Sequence, residues 1–194
     1  MNSFNIIIPL QKDINSNNLT GIASTTNVDR DDEKMSDEAL QSMVNDIKKT
    51  GVNLFGNHEH GWENTLGVIN QAELINNSVQ VGIILDDAIT NPKVPMLLNK
   101  LKKGIKLGLS VGGNVTGFSW EYDRSLGKKI KVLDKVKIYE ISVVGIPSNA
   151  DSFLTIPQAI AKSAKLSLQG SEESCINCYT ETNKGVCPLC LTTL

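Results

Sequence analysis

Gly104-Ile105-Lys106-Leu107-Gly108-Leu109-Ser110-Val111-Gly112 is the stretch on which the fold turns. Ile105 to Val111 reads as a strand, and it carries the only Gly-x-Ser-x-Gly of the chain, Gly108 to Gly112. In an α/β-hydrolase that pattern bends from strand into helix, and the triad histidine comes last. Here more strands follow, near Val115–Tyr122, Lys129–Leu133 and Lys137–Ile146, and both histidines, His58 and His60, lie upstream. The elbow reading therefore fails. A serine hydroxyl needs a base that titrates near neutral pH, so any Ser-His chemistry in this chain uses one of those two rings.

Working outward, Ile6–Leu10 and Leu19–Thr25 read as strands, and Asn27–Glu33 as a polar loop. Ser36 caps a helix with Asp37 and Glu38 in its first turn and Lys48 and Lys49 in its last, matching the helix dipole. Ala39, Leu40, Met43, Val44 and Ile47 form its apolar stripe, and Gly51 ends it. Val52–Phe55 is a short strand delivering the histidines. Leu66–Leu74 and Ser78–Leu85 form a hairpin around Asn76-Asn77. Asn91-Pro92 opens a second helix, with Val94, Leu97, Leu98 and Leu101 facing the core. Pro147 breaks the last core strand. The expected fold is α+β: a barrel-like, mostly antiparallel sheet with flanking helices. Trp62 and Trp120 are read as packing residues.

The 194 residues suffice for one domain and an appendage. The division expected is 1–157 for the main domain, 158–174 for a helix and linker, and 175–194 for a tail. A net charge of −2, with 17 Lys and 2 Arg, does not suit a nucleic-acid partner. No apolar run matches a membrane span, and no signal peptide is read, so the chain is expected in the cytosol. All four cysteines lie in the tail, as Cys175-x-x-Cys178 and Cys187-x-x-Cys190, spaced for a structural zinc knuckle. His58 and His60, two apart on a strand, could share a metal, but no third ligand is evident in the sequence. No metal is expected in catalysis.

The order His, Ser, acid fits neither the hydrolase triad nor chymotrypsin, which needs an acid between His and Ser. It resembles the caudoviral prohead maturation proteases, relatives in fold of the herpesvirus assemblins. Four segments carry the resemblance: Gly21–Thr25 with Val28-Asp29-Arg30-Asp31; Leu54–His60 with Leu66–Ile69; Gly104–Gly112; and Tyr139–Ala150, in which Glu140 precedes an apolar strand and Pro147-Ser148-Asn149-Ala150. The resemblance spans about residues 19 to 155. It implies that Ser110 is the nucleophile, His58 the base and Glu140 the acid that orients the ring, with His60 the alternative base. The amides of Val111, Gly112 and Gly113 are candidates for the oxyanion site. Ser142, in the same strand as Glu140, is the confounding serine. Asp134 and Asp151 are fallback acids.

The function implied is a serine endopeptidase that matures a viral procapsid. Its expected substrates are scaffold, the N-terminal segment of the major capsid protein, and itself. Its expected place is inside the assembling procapsid in the host cytoplasm, with homo-oligomers expected as well. The alternative is a non-catalytic capsid-assembly or adaptor protein that binds partners through the zinc knuckle.

Overall fold

The structure, a computed structural model, describes residues 18–156. The strand expected at Ile6–Leu10, the 158–174 segment and the cysteine tail lie outside the described residues. The chain divides after Pro157, and everything below concerns the first unit.

Eight strands make one curled sheet. They are β1 (Asn18–Thr25), β2 (Glu33–Met35), β3 (Val52–Gly56), β4 (Thr65–Ile75), β5 (Ser78–Leu85), β6 (Gly108–Asp123), β7 (Lys128–Val144) and β8 (Leu154–Thr155). Two helices, α1 (Asp37–Thr50) and α2 (Lys93–Lys102), flank it. The spatial order is β2-β7-β3-β4-β5-β1-β8, with β6 on the other side of β7. All pairings are antiparallel except β2 with β7 and β3 with β7. Residues 152–154 tie β1 back to β6. The Ile22 amide donates to Phe153 O, the Leu154 amide to Leu107 O and the Leu109 amide to Ser152 O. The sheet thereby curls round a core that includes Leu19, Leu54, Ile69, Val81, Ile83, Leu109 and Ile141.

The local causes are those the sequence suggests. Ser36 Oγ accepts from the Ala39 amide at 3.2 Å, satisfying one of the first-turn donors of α1. Gly51 ends α1 at φ 66°, a conformation that favours glycine. Ala39, Leu40, Met43, Val44 and Ile47 are all buried. In α2, Val94 and Leu97 are buried, while Leu98 and Leu101 pack at the margin. Asn76 and Asn77 both have positive φ, as a two-residue hairpin turn with the right twist requires.

Four expectations change. The stretch from Val115 to Ile146 forms no separate short strands. β6 and β7 pair along their whole length, and irregularities between Gly112/Gly113, Val115/Gly117 and Gly117/Phe118 absorb the extra residues. A bulge keeps a ladder going where glycines read as a break. The strand also starts at Gly108, not Ile105, and β2 is a short parallel strand on Lys131–Leu133 where only loop and cap were expected. Finally, Trp62 and Trp120 are 88% and 62% exposed. Trp62 sits in a single 3-10 turn after β3, and Trp120 shares the outer half of β6 with exposed Phe118 and Tyr122.

Candidate active site

β7 runs between β6 and β3 and brings three distant parts of the chain together. Ser110 on β6 lies opposite Ser142 on β7, and Gly112 opposite Glu140. On the other side, Asn53 pairs with Glu140 and Gly56 with Val143. Alternation along β7 sends Ile141 and Val143 into the core and Glu140 and Ser142 to the opposite face. Glu140 and Ser142 are still buried, because the loop after β3 covers them.

That loop turns sharply. Asn57 and His58 both adopt left-handed backbone, at φ 53° and 59°. Asparagine tolerates this region, but for histidine it costs about 1–2 kcal/mol. Two bonds offset the strain: the Asn57 amide donates to Val143 O at 2.9 Å, and the His58 amide donates to Ser142 Oγ at 3.1 Å. The turn swings the His58 ring over β7 and β6. Its Nδ1 lies 2.6 Å from Glu140 Oε1 and its Nε2 lies 3.0 Å from Ser110 Oγ. Ser142 Oγ donates to Glu140 Oε2 at 2.7 Å. A carboxylate accepting at both oxygens requires the proton of a neutral His58 ring on Nδ1. Nε2 is then the lone-pair nitrogen that faces the serine hydroxyl.

His60 comes near the same acid but not near the serine by any hydrogen bond among the described residues. Its Nε2 is 3.6 Å from Glu140 Oε1, and its ring stands edge-on to Phe55 at 5.5 Å. Of the fallback acids, Asp151 accepts from Asn27 Nδ2 at 2.6 Å, which engages it elsewhere.

The glycines around Ser110 have neighbours that explain them. A Cβ on Gly108 would run into the Pro147 ring, and a Cβ on Gly112 into the Glu140 carboxylate. They make room for the closing motif and for the acid. Val111, Gly112 and Gly113 lie opposite Ile141, Glu140 and Ile138. The Leu109 amide points away from β7, to Ser152 O. By strand alternation the Val111 amide points the same way, along an edge that no strand pairs among the described residues.

The metal expectation is corrected. The four cysteines assigned to zinc, Cys175, Cys178, Cys187 and Cys190, lie outside the described residues. Among the described residues the group able to hold an ion is instead mid-chain: His58, His60 and Glu140, with ligand atoms within 4.8 Å of one another. Sequence spacing offered no third ligand for the histidine pair because Glu140 reaches it only through the parallel pairing of β3 with β7. Ser142 was missed as a working residue, although its i, i+2 relation to Glu140 puts both on one face.

Beside the histidine loop, a cleft of about 390 Å³ is lined by Asn57, Glu59, Leu66, Leu97, Leu107 and Val144, among others. Residues 10–166 match the family model described as Caudovirus prohead serine protease. The chain belongs to that family. No curated protein matches it. Membership makes it a capsid-maturation serine protease, a peptide-bond hydrolase. The four segments that carry the resemblance have physical reasons here. Three supply the histidine, the serine and the acid. The remaining one, the acidic loop, clasps the closing motif of the prohead protease. The Arg30 amide donates to Ser148 O at 3.0 Å, the Arg30 guanidinium to Pro147 O, and Ser148 Oγ to Asp31 at 2.8 Å.

Proposed function

We propose that Ser110 is the nucleophile, His58 the general base and Glu140 the group that fixes the ring. One observation carries this reading: a single imidazole bonded at one nitrogen to a buried carboxylate and at the other to a serine hydroxyl. Ser110 Oγ attacks a peptide carbonyl while His58 Nε2 takes its proton. Glu140 stabilises the imidazolium that forms. His58 then returns the proton to the departing amine, leaving an acyl-enzyme that water hydrolyses. The Val111 amide, on the unpaired edge of β6, supports the developing oxyanion, and the bulge at Gly112/Gly113 shapes the space beside it. The cleft beside the histidine loop receives a substrate side chain, and its Leu66, Leu97 and Leu107 suit an apolar one.

The substrates are scaffold, the N-terminal segment of the major capsid protein, and the protease itself, cut within the assembling procapsid in the host cytoplasm. The chain works there in more than one copy. Support for these points comes from membership in the family.

Co-expression with the scaffold and capsid proteins tests the reading by intact mass. Wild type trims them. Ser110→Ala leaves them whole, a loss on the order of 10⁴-fold or more, and no longer reacts with a serine-directed phosphonate. Equal trimming by both forms would refute the assignment of Ser110.

A further inference from the structure

The triad leaves His60 without a task, yet His60 is placed as if it had one. Glu140 Oε2 is taken by Ser142, and Oε1 faces both rings, 2.6 Å from His58 Nδ1 and 3.6 Å from His60 Nε2. The His58 and His60 side chains are 40% and 63% exposed, whereas that of Glu140 is 4% exposed. An ion arriving from solvent meets two imidazoles with a buried carboxylate behind them. Two imidazole nitrogens and one carboxylate oxygen form a donor set suited to zinc, with a fourth position left for water. At bond lengths of about 2.0–2.2 Å, tetrahedral ligand atoms stand roughly 3.3–3.6 Å apart. The observed spacings lie close enough for small rotations of the exposed rings to complete the site.

We propose that His58, His60 and Glu140 form an inhibitory site for a divalent transition metal, Zn²⁺ above all. The proposal rests on the reading of His58 as the base. A neutral imidazole has one lone-pair nitrogen. In the active form Nδ1–H donates to Glu140 and the lone pair on Nε2 faces Ser110. A metal at Nδ1 takes that nitrogen's lone pair, so the ring proton moves to Nε2. The change is a tautomer shift with no net proton lost from the His58 ring. Nε2–H is then a donor and cannot accept the Ser110 proton. The ion also occupies the carboxylate oxygen that would otherwise stabilise an imidazolium. The metal-bound protease is folded and silent, and a chelator restores it.

The test uses the full chain with Cys175, Cys178, Cys187 and Cys190 changed to serine, so that thiolates do not compete for the ion. Hydrolysis of a capsid-derived peptide is measured first without metal, then across buffered Zn²⁺, then after EDTA. Activity falls about tenfold or more at saturation and returns with EDTA. In the same chain carrying Ser110→Ala, Co²⁺ binds one to one and develops visible absorption bands. His60→Ala raises the Co²⁺ dissociation constant about tenfold or more. In the active chain it raises the half-inhibitory Zn²⁺ concentration similarly, each variant being normalised to its own metal-free rate. Zinc sensitivity unchanged by His60→Ala, or an active enzyme indifferent to zinc, overturns the proposal. Absence of metal-free hydrolysis would instead overturn the triad reading, and the Co²⁺ titration would still decide whether the metal site exists.

Discussion

Ser142 works at both ends of its hydroxyl: it donates to Glu140 and accepts from the His58 amide. Ser142→Ala leaves a buried carboxylate oxygen and a strained amide without their partner. A stability loss of about 1–3 kcal/mol is expected from the unmet groups. We expect kcat to fall about 10²-fold with KM little changed, because the ring is displaced but the cleft is not. Steady-state kinetics with thermal unfolding separates the two effects; a loss confined to KM would contradict the role. Gly112→Ala is expected to do similar damage from the opposite strand by pushing the Glu140 carboxylate off its place. Its signature is a comparable fall in kcat with far-ultraviolet circular dichroism preserved. Ser110, His58 and Glu140, the proposed triad, stand out in the sequence because each sits in a distinctive local motif. Ser142 is not, since its partner amide is 84 residues away and only the parallel register reveals it.

The strand and helix scale was mostly legible, and for plain reasons. Caps, apolar stripes and the Asn76-Asn77 turn are local signals, and α1, α2 and the β4–β5 hairpin follow them. The β6–β7 ribbon reads as separate short strands because glycines and charges at Gly112-Gly113 and Asp134-Lys135 resemble breaks, whereas the ladder shifts register at these places and then resumes. Asn77→Gly removes a side chain from a φ of 60° and is expected to stabilise the hairpin by about 0.5–1 kcal/mol. A rise in melting temperature checks it. The loop between β1 and β2 has its own pH signature. Burial holds the Asp29 carboxyl above its usual 3.8, outweighing the amides of Asp31 and Glu33 that lower it. A raised value means that the folded chain keeps a proton longer. Its contribution is full below 3.8 and is lost as pH climbs through the folded value. Asp29→Asn keeps an acceptor for both amides without the charge. Its melting temperature relative to wild type is expected to climb through that window and then level off.

For the molecule as a whole, the decisive event is closure. Arg30 and Asp31 hold Pro147 and Ser148, and the segment just beyond stitches β1 to β6. Arg30→Ala is expected to loosen that seam, with faster amide exchange at residues 152–154 than in the β4–β5 hairpin. Uniform acceleration everywhere would argue for global destabilisation instead. The strand from Ile138 to Val143 serves the core with one set of side chains and, on the proposed reading, the chemistry with the other, and only Tyr139 within it is freely exposed. Random libraries over these six positions would therefore show an uneven tolerance map. Selection for soluble expression alone and selection for peptide cleavage alone should accept the same hydrophobic variants at 138, 141 and 143. They should part company at 140 and 142, where a chain can evolve toward greater ruggedness only by giving up its turnover.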